Sequence, residues 1–184
     1  QTLLNLYRTD LGFTTDKILV FGLNPGQAGY EDGNSVHFYD QVEANLASLP
    51  GVRSIALSSD NLLGGSRAST GFSIPGRTAD GPQSPQADVL DVSETFFQTM
   101  GIPLLRGRTF ERTDTPSEPR VVIVNETFAR TSFAHDEPVG QSIHMGERDL
   151  RIIGLSADAK YNPVQSDIEP TMYFSHSQAR PGAM

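Results

Sequence analysis

His135, Asp136 and Glu137 stand side by side and form the densest grouping of metal-ligating side chains in the sequence. A cation site needs several donors converging on one point, whereas adjacent residues point in different directions, so the run reads as a polar loop after a helix. His37, His144 and His176 are scattered and lack the i, i+4 pairing by which a helix presents two imidazoles to zinc. Glu31 with Asp32, and Asp158 with Asp167, are the pairs to consider for acid/base work. Such work requires a defined separation inside a cleft, and nothing in the spacing supplies one; solvated loop carboxylates are the better reading. Arg106 and Arg108 flank Gly107 and are expected to pair with acidic neighbours. Gly64-Gly65-Ser66, and Gly22 with Gly26 and Gly29, match no phosphate-cradling pattern and read as turn glycines. No Gly-x-Ser-x-Gly elbow occurs. With no cysteine, there is neither a disulfide framework, nor a thiolate metal site, nor a cysteine nucleophile. No catalytic, cofactor-binding or metal-ligating residue is assigned, and no cofactor is expected.

The bulk numbers narrow the partners. At 37% apolar, 184 residues can bury a sizeable core as one domain or two small lobes. A formal charge of −8 disfavours phosphate backbones and anionic lipid surfaces, which excludes nucleic acid as an expected partner. No window approaches the roughly 18 consecutive apolar residues of a membrane span. The chain starts at Gln1 rather than Met, as a processed protein or an excised fragment would.

The elements follow from periodicity and punctuation. Leu3, Leu4, Tyr7 and Leu11 have helical spacing, with Gly12 at the stop. Residues 17–23 are a β-rich apolar run ended by Asn24-Pro25-Gly26, which predicts a buried strand and a turn. Ser35 opens a helix in which Phe38, Val42, Leu46 and Leu49 share a face, ended by Pro50-Gly51; residues 53–58 read as a second strand. Residues 60–86 shift to Gly, Ser, Pro, Thr and Asn around one short strand at Phe72-Ser73-Ile74-Pro75, and mark the expected lobe boundary. A strand over 87–92, a helix over 94–100 capped by Ser93 and closed by Gly101, a strand over 120–125 and a helix over 126–133 follow. A hairpin over 141–145 and 150–155, with the four-residue loop Gly146-Glu147-Arg148-Asp149, and a last strand over 171–175 complete the reading. Phe96, Phe97 and Met100 share a helix face; they and Phe128 with Phe133 are expected in a core rather than on a docking patch.

Phe96-Phe97-Gln98-Thr99-Met100-Gly101-Ile102-Pro103-Leu104-Leu105-Arg106-Gly107-Arg108, followed by Val121-Val122-Ile123-Val124-Asn125-Glu126-Thr127-Phe128-Ala129-Arg130, resembles the extracytoplasmic domains of MacB-like permeases. Asp10-Leu11-Gly12-Phe13, Leu49-Pro50-Gly51-Val52, Asp158-Ala159-Lys160-Tyr161 and Glu169-Pro170-Thr171-Met172-Tyr173 extend the resemblance over nearly the whole chain. It implies an α+β fold, a porter-like split α/β lobe carrying an inserted, mostly β sabre-like lobe. Residues 1–15 would form the end of a membrane-helix stalk, 16–60 the first part of the porter-like lobe, 61–117 the inserted lobe, and 118–184 the return. It further implies a non-catalytic domain, excised from an ABC-type permease of the MacB/FtsX kind and placed outside the cytoplasmic membrane. Such a domain passes ATP-driven motion to export of a substrate or to a periplasmic partner. The implied partners are the membrane helices and ATPase of its own transporter, a second copy or paired periplasmic domain, and a periplasmic adaptor. The alternative is a free extracytoplasmic module binding a small molecule or glycan.

Overall fold

The computed structural model describes residues 11–14, 16–28, 35–60, 68–77, 84–116, 119–134, 136–161 and 167–178. The helix expected around Leu3, Leu4 and Tyr7, and residues Gly29, Glu31, Asp32, Gly64, Gly65, Ser66 and His135, lie outside them.

The most continuously apolar run becomes the centre of a sheet. Strand β4 (Val121–Asn125) is buried at every position, as a strand covered on both faces must be. It pairs in parallel with β6 (Arg148–Ser156) and antiparallel with β7 (Thr171–Ser175). β7 runs parallel to β2 (Gln86–Val92), whose other edge carries the short β1 (Ala68–Gly71). The free edge of β6 is taken first by β5 (Ser142–Met145) and then by β3 (Leu104–Gly107). These strands form one mixed seven-stranded sheet in the order β1-β2-β7-β4-β6-β3, with β5 beside β6.

Alternation of side chains along a strand builds a core on each face. Val121 and Ile123 of β4 enter one core with Leu90, Val92 and Tyr173, while Val122 and Val124 enter the other with Met172, Leu150 and Ile152. Helix α2 (Phe96–Met100) covers the first through Phe96, Phe97 and Met100, none more than 4% exposed. Helix α3 (Glu126–Phe133) covers the second through Phe128 and Phe133, and Phe128 meets Phe72 with ring centroids 4.6 Å apart. The aromatic residues predicted for a core are therefore in one, and the fold is α+β. Helix α1 (Ser35–Ala47) forms where its spacing predicts, with Tyr39 buried. α2 ends as expected: Gly101, at φ +67°, donates its N–H to Gln98 O and lets Ile102 N–H reach Phe97 O.

Several expectations need correction. Residues 17–23 do not form a strand: Leu19, Val20, Phe21 and Leu23 are 39–82% exposed and pair with no strand among the described residues. Only Ile18 reaches the core, after a turn at Lys17 with φ +60°. High β-propensity makes a strand only when a partner ladder is present. Residues 53–58 are extended but touch the sheet at one bridge, Ser58 to Val92, rather than along a ladder. Ser93 does not cap α2. Thr95 holds the N-cap position, and Ser93 Oγ instead accepts from Leu57 N at 3.0 Å, fastening that extended segment to the end of β2. The short strand precedes Phe72, at β1, and Ser73 makes only a bridge to His144. The hairpin loop has two residues, not four: Met145 pairs with Arg148, and Gly146 supplies the positive φ (+60°) at the first turn position. β3 was not anticipated, because a four-residue strand between Pro103 and Arg108 has no room to show alternation. Strands from 61–117 and from 118–184 interleave in the one sheet, with β7 lying between β2 and β4.

Candidate functional site

Four segments that carry the family resemblance meet at the end of the sheet where β4 and β6 finish and β7 begins. Asn125 is the pivot. It is fully buried, and its Oδ1 accepts from Phe128 N (2.9 Å), capping α3, and from Thr171 N (2.9 Å), starting β7. Its Nδ2 donates to Glu169 O at 3.0 Å. One side chain thus joins the Val121–Asn125 strand, the following helix and the Glu169-Pro170-Thr171 segment.

Asp158 forms the second tie. Its carboxylate accepts from Thr127 N at 2.8 Å and from Thr127 Oγ1 at 2.7 Å, with Arg130 at 4.0 Å. A carboxylate at the first turn of α3 is stabilised by the unpaired N–H groups there. Glu126 Oε2 returns the contact by accepting from Asp158 N at 3.2 Å.

Onto this junction the chain lays residues 11–14 as a strap. Lys160 N donates to Leu11 O at 2.7 Å, and Thr14 N donates to Met100 O at 2.8 Å. Phe13 stacks on Tyr161 with centroids 5.9 Å apart, and the Tyr161 hydroxyl is 2.8 Å from that of Tyr173 inside the core. Gly12 sits between the two fastenings at φ +72°, where a Cβ would fall 2.3 Å from Asp158 O. Only glycine fits: the left-handed backbone disfavours other residues, and the obstructing atom is main chain. Leu11, Gly12 and Phe13 are thereby held against Asp158, Ala159, Lys160 and Tyr161, almost 150 positions later. The arrangement ties residues 11–14 to α2 through Met100, to the segment that caps α3 through Asp158, and to the sheet through Tyr161 and Tyr173.

The residues weighed for chemistry are distributed elsewhere. The described part of the His135-Asp136-Glu137 run is split, with Asp136 bound to Arg77 and Glu137 to Arg106 at 2.6 Å. His144 is bound to Asp149 across the β5–β6 hairpin. Asp158 is engaged as described, and Asp167 is exposed. Among the described residues, no group of three His, Asp or Glu side chains is placed to hold a metal ion. Of the resemblance-bearing residues, sequence reading missed that Gly12 and Asp158 touch and that Asn125 is a three-way node. An Asn one residue before a helix start is a recognisable N-cap signal, but its two other partners are non-local.

An open cleft of about 590 Å³ lies where the end of β3 and β6 meet the loops before β4 and β5, lined by Gly107, Arg108, Asp114, Gly140 and Arg151 among others. No aromatic ring lines it, and Arg108 and Asp114 are bound to each other by two hydrogen bonds of 2.8 Å. That fork holds the Asp114 carboxyl below its ordinary value of 3.8, helped by the N–H of Glu111. A depressed carboxylate contributes stability that is present above its ordinary value and lost as pH falls through the folded one. Asp114→Asn is therefore expected to be less stable at pH 7 and to lose less further stability than the wild type below about pH 4, read by denaturant titration at both pH values.

Comparison with known proteins matches this chain over nearly its whole length. A sequence profile of the MacB-like periplasmic core domain matches residues 6–182. The macrolide export ATP-binding/permease protein MacB of Sodalis glossinidius is 26% identical over 122 residues, 65% of this chain and 18% of that protein. MacB 1 of Aeromonas hydrophila is 35% identical over 78 residues, 42% of this chain and 12% of that protein. The chain thus spans less than a fifth of the length of these relatives. The crystal structure of the periplasmic region of MacB from Actinobacillus actinomycetemcomitans has a TM-score of 0.53 at 21% identity, covering 75% of this chain and 55% of that one. The extracellular domain of the noncanonic ABC-type transporter YknZ from Gram-positive bacteria gives 0.50 at 17% identity, covering 74% and 61%. At these identities the structures speak for the fold, and the profile speaks for descent. The chain belongs to the MacB-like periplasmic core domain family.

Proposed function

We propose that this domain sits outside the cytoplasmic membrane as part of a MacB-like permease and passes ATP-driven movement of the membrane helices to the export of a substrate or to a periplasmic partner. The observation that carries the reading is the strap. Residues 11–14, on the side of the chain where a membrane helix would precede the domain, are fastened at both Met100 and Lys160 and then through Tyr161 to the core. A pull on this segment reaches both faces of the sheet without needing a ligand. ATP hydrolysis would reside in a separate part of the permease, and a second copy or paired domain and a periplasmic adaptor would be the partners. The names of the relatives suggest a macrolide-like cargo. The lobes would be a porter-like one from residues 16–60 and 118–184 and an inserted one from 61–117, and the first part meets the sheet through Ile18, Ala56, the Ser58 bridge and the contact of Tyr39 with His176, among others.

Placement is tested in spheroplasts carrying the complete permease. The 184 residues contain no cysteine, so Ser142→Cys, exposed at the start of β5, in a permease whose other cysteines are replaced, leaves one addressable thiol. Reaction of that thiol with a membrane-impermeant maleimide in intact spheroplasts is expected; reaction only after lysis would contradict the placement.

A further inference from the structure

Where α1 meets the end of β7, ionisable groups lie close together outside the two apolar cores. Tyr39 of α1, 8% exposed, presents its ring at 84° to that of His176, with centroids 6.2 Å apart. His176 opens the turn His176–Gln178 after β7, and that turn is fixed by Gln178. Its Oε1 accepts from Val121 N at 3.0 Å, and its Nε2 donates to Thr115 O and Pro119 O. The turn that carries the imidazole is thereby tied to β4 and the loop before it rather than to α1. Its Nδ1 is buried and has no hydrogen-bond partner among the described residues.

The groups that act on it are Tyr39, in ring contact, and the charges of Asp40 on α1 and Glu94 in the turn before α2; Glu43, also on α1, feels the same two carboxylates and Arg112 from the loop between β3 and β4. Glu94 is itself held in place, accepting from Ser177 Oγ at 3.1 Å. A neutral imidazole suits this buried position better than a charged one, whose desolvation is costlier than that of a neutral ring.

We propose that the contact between α1 and the His176 turn is a proton-sensitive seat, which holds the helix on the sheet while the imidazole is neutral and loosens when it is charged. The electrostatics agree in sign. Burial pushes His176 below its ordinary 6.5, with Glu94 and Asp40 opposing only in part. A group lowered in the seated form contributes stability that is present above 6.5 and lost as pH falls through its seated value. Glu43 acts in the opposite direction. Burial, then Glu94 and Asp40, push it above 4.5, so its contribution is present in acid and lost as pH rises through the raised value. Through His176 the seat should weaken in mild acid, with Glu43 opposing that loss.

The test is hydrogen exchange of the 184-residue chain at pH 7.5 and 5.5, corrected for intrinsic exchange rates. Wild-type α1 amides are expected to lose protection by up to about tenfold between the two, the most that one proton can yield one unit below an ordinary value of 6.5, while β4 amides stay constant. His176→Phe, which keeps a ring against Tyr39, should abolish this loss of protection in acid and leave at most the opposite trend set by Glu43. Equal pH dependence in wild type and variant would overturn the proposal. If the variant does not fold, histidine NMR titration of the wild type decides instead: a value for His176 below 6.5 supports the seat, and one at or above 6.5 overturns it.

Discussion

Asn125→Ala is expected to lower the melting temperature by about 10 °C, on the scale of about 2–4 °C per kcal/mol for domains of this size. The side chain is fully buried and satisfies three backbone groups at once: Phe128 N, Thr171 N and Glu169 O. Alanine leaves all three without a partner, at about 1 kcal/mol or more each, and removes the N-cap of α3 as one of those losses. A total of about 3–4 kcal/mol is a large share of the roughly 5–15 kcal/mol that holds a domain folded. Thermal denaturation measures the total, and exchange at the Phe128 and Thr171 amides shows whether helix and strand loosen together. A shift under about 3 °C would mean that water replaces the amide in the cavity, since one replaced bond is worth about 1 kcal/mol.

Asn125 also illustrates which parts of this molecule are legible in sequence. Its neighbours Val121, Val122, Ile123 and Val124 announce a strand buried on both sides, and Phe128 and Phe133 announce the helix that covers it. Those signals are local, and the structure follows them. The bonds of Asn125 to Glu169 and Thr171 join residues more than 40 positions apart, and no periodicity encodes them. The same limit explains residues 17–23. Their composition specifies a strand, but whether a strand forms depends on a partner the segment itself does not contain. Ser93 was misread for a related reason: its hydroxyl is suited to capping and is drawn instead to Leu57, 36 residues away. The family resemblance marked what periodicity could not, because four of its separate motifs meet at one junction, whereas Leu49-Pro50-Gly51-Val52 stays exposed.

The second large effect is expected at Gly12. Valine there must adopt φ near +72°, and its Cβ would lie 2.3 Å from Asp158 O, a main-chain atom with little freedom to move. A β-branched residue in this region costs on the order of 1–3 kcal/mol in backbone strain alone, before the clash is counted. The strap lies outside the ladders of the sheet, so the expected outcome is local release rather than global unfolding. Exchange at the Thr14 and Lys160 amides should accelerate by about 100-fold, equivalent to roughly 3 kcal/mol, while β4 and β7 amides keep their protection. Loss of protection across the whole sheet would instead show that the strap is integral to the fold.

The central claim, that movement enters the domain through this strap, is tested by hydrogen exchange of the complete permease in membranes with and without ATP, comparing wild type with Gly12→Val. ATP is expected to change exchange over residues 95–101 and 157–161 in the wild type, and to leave them unchanged in the variant although ATP still binds. An absence of ATP-dependent change in the wild type, or the same change in both proteins, would contradict it.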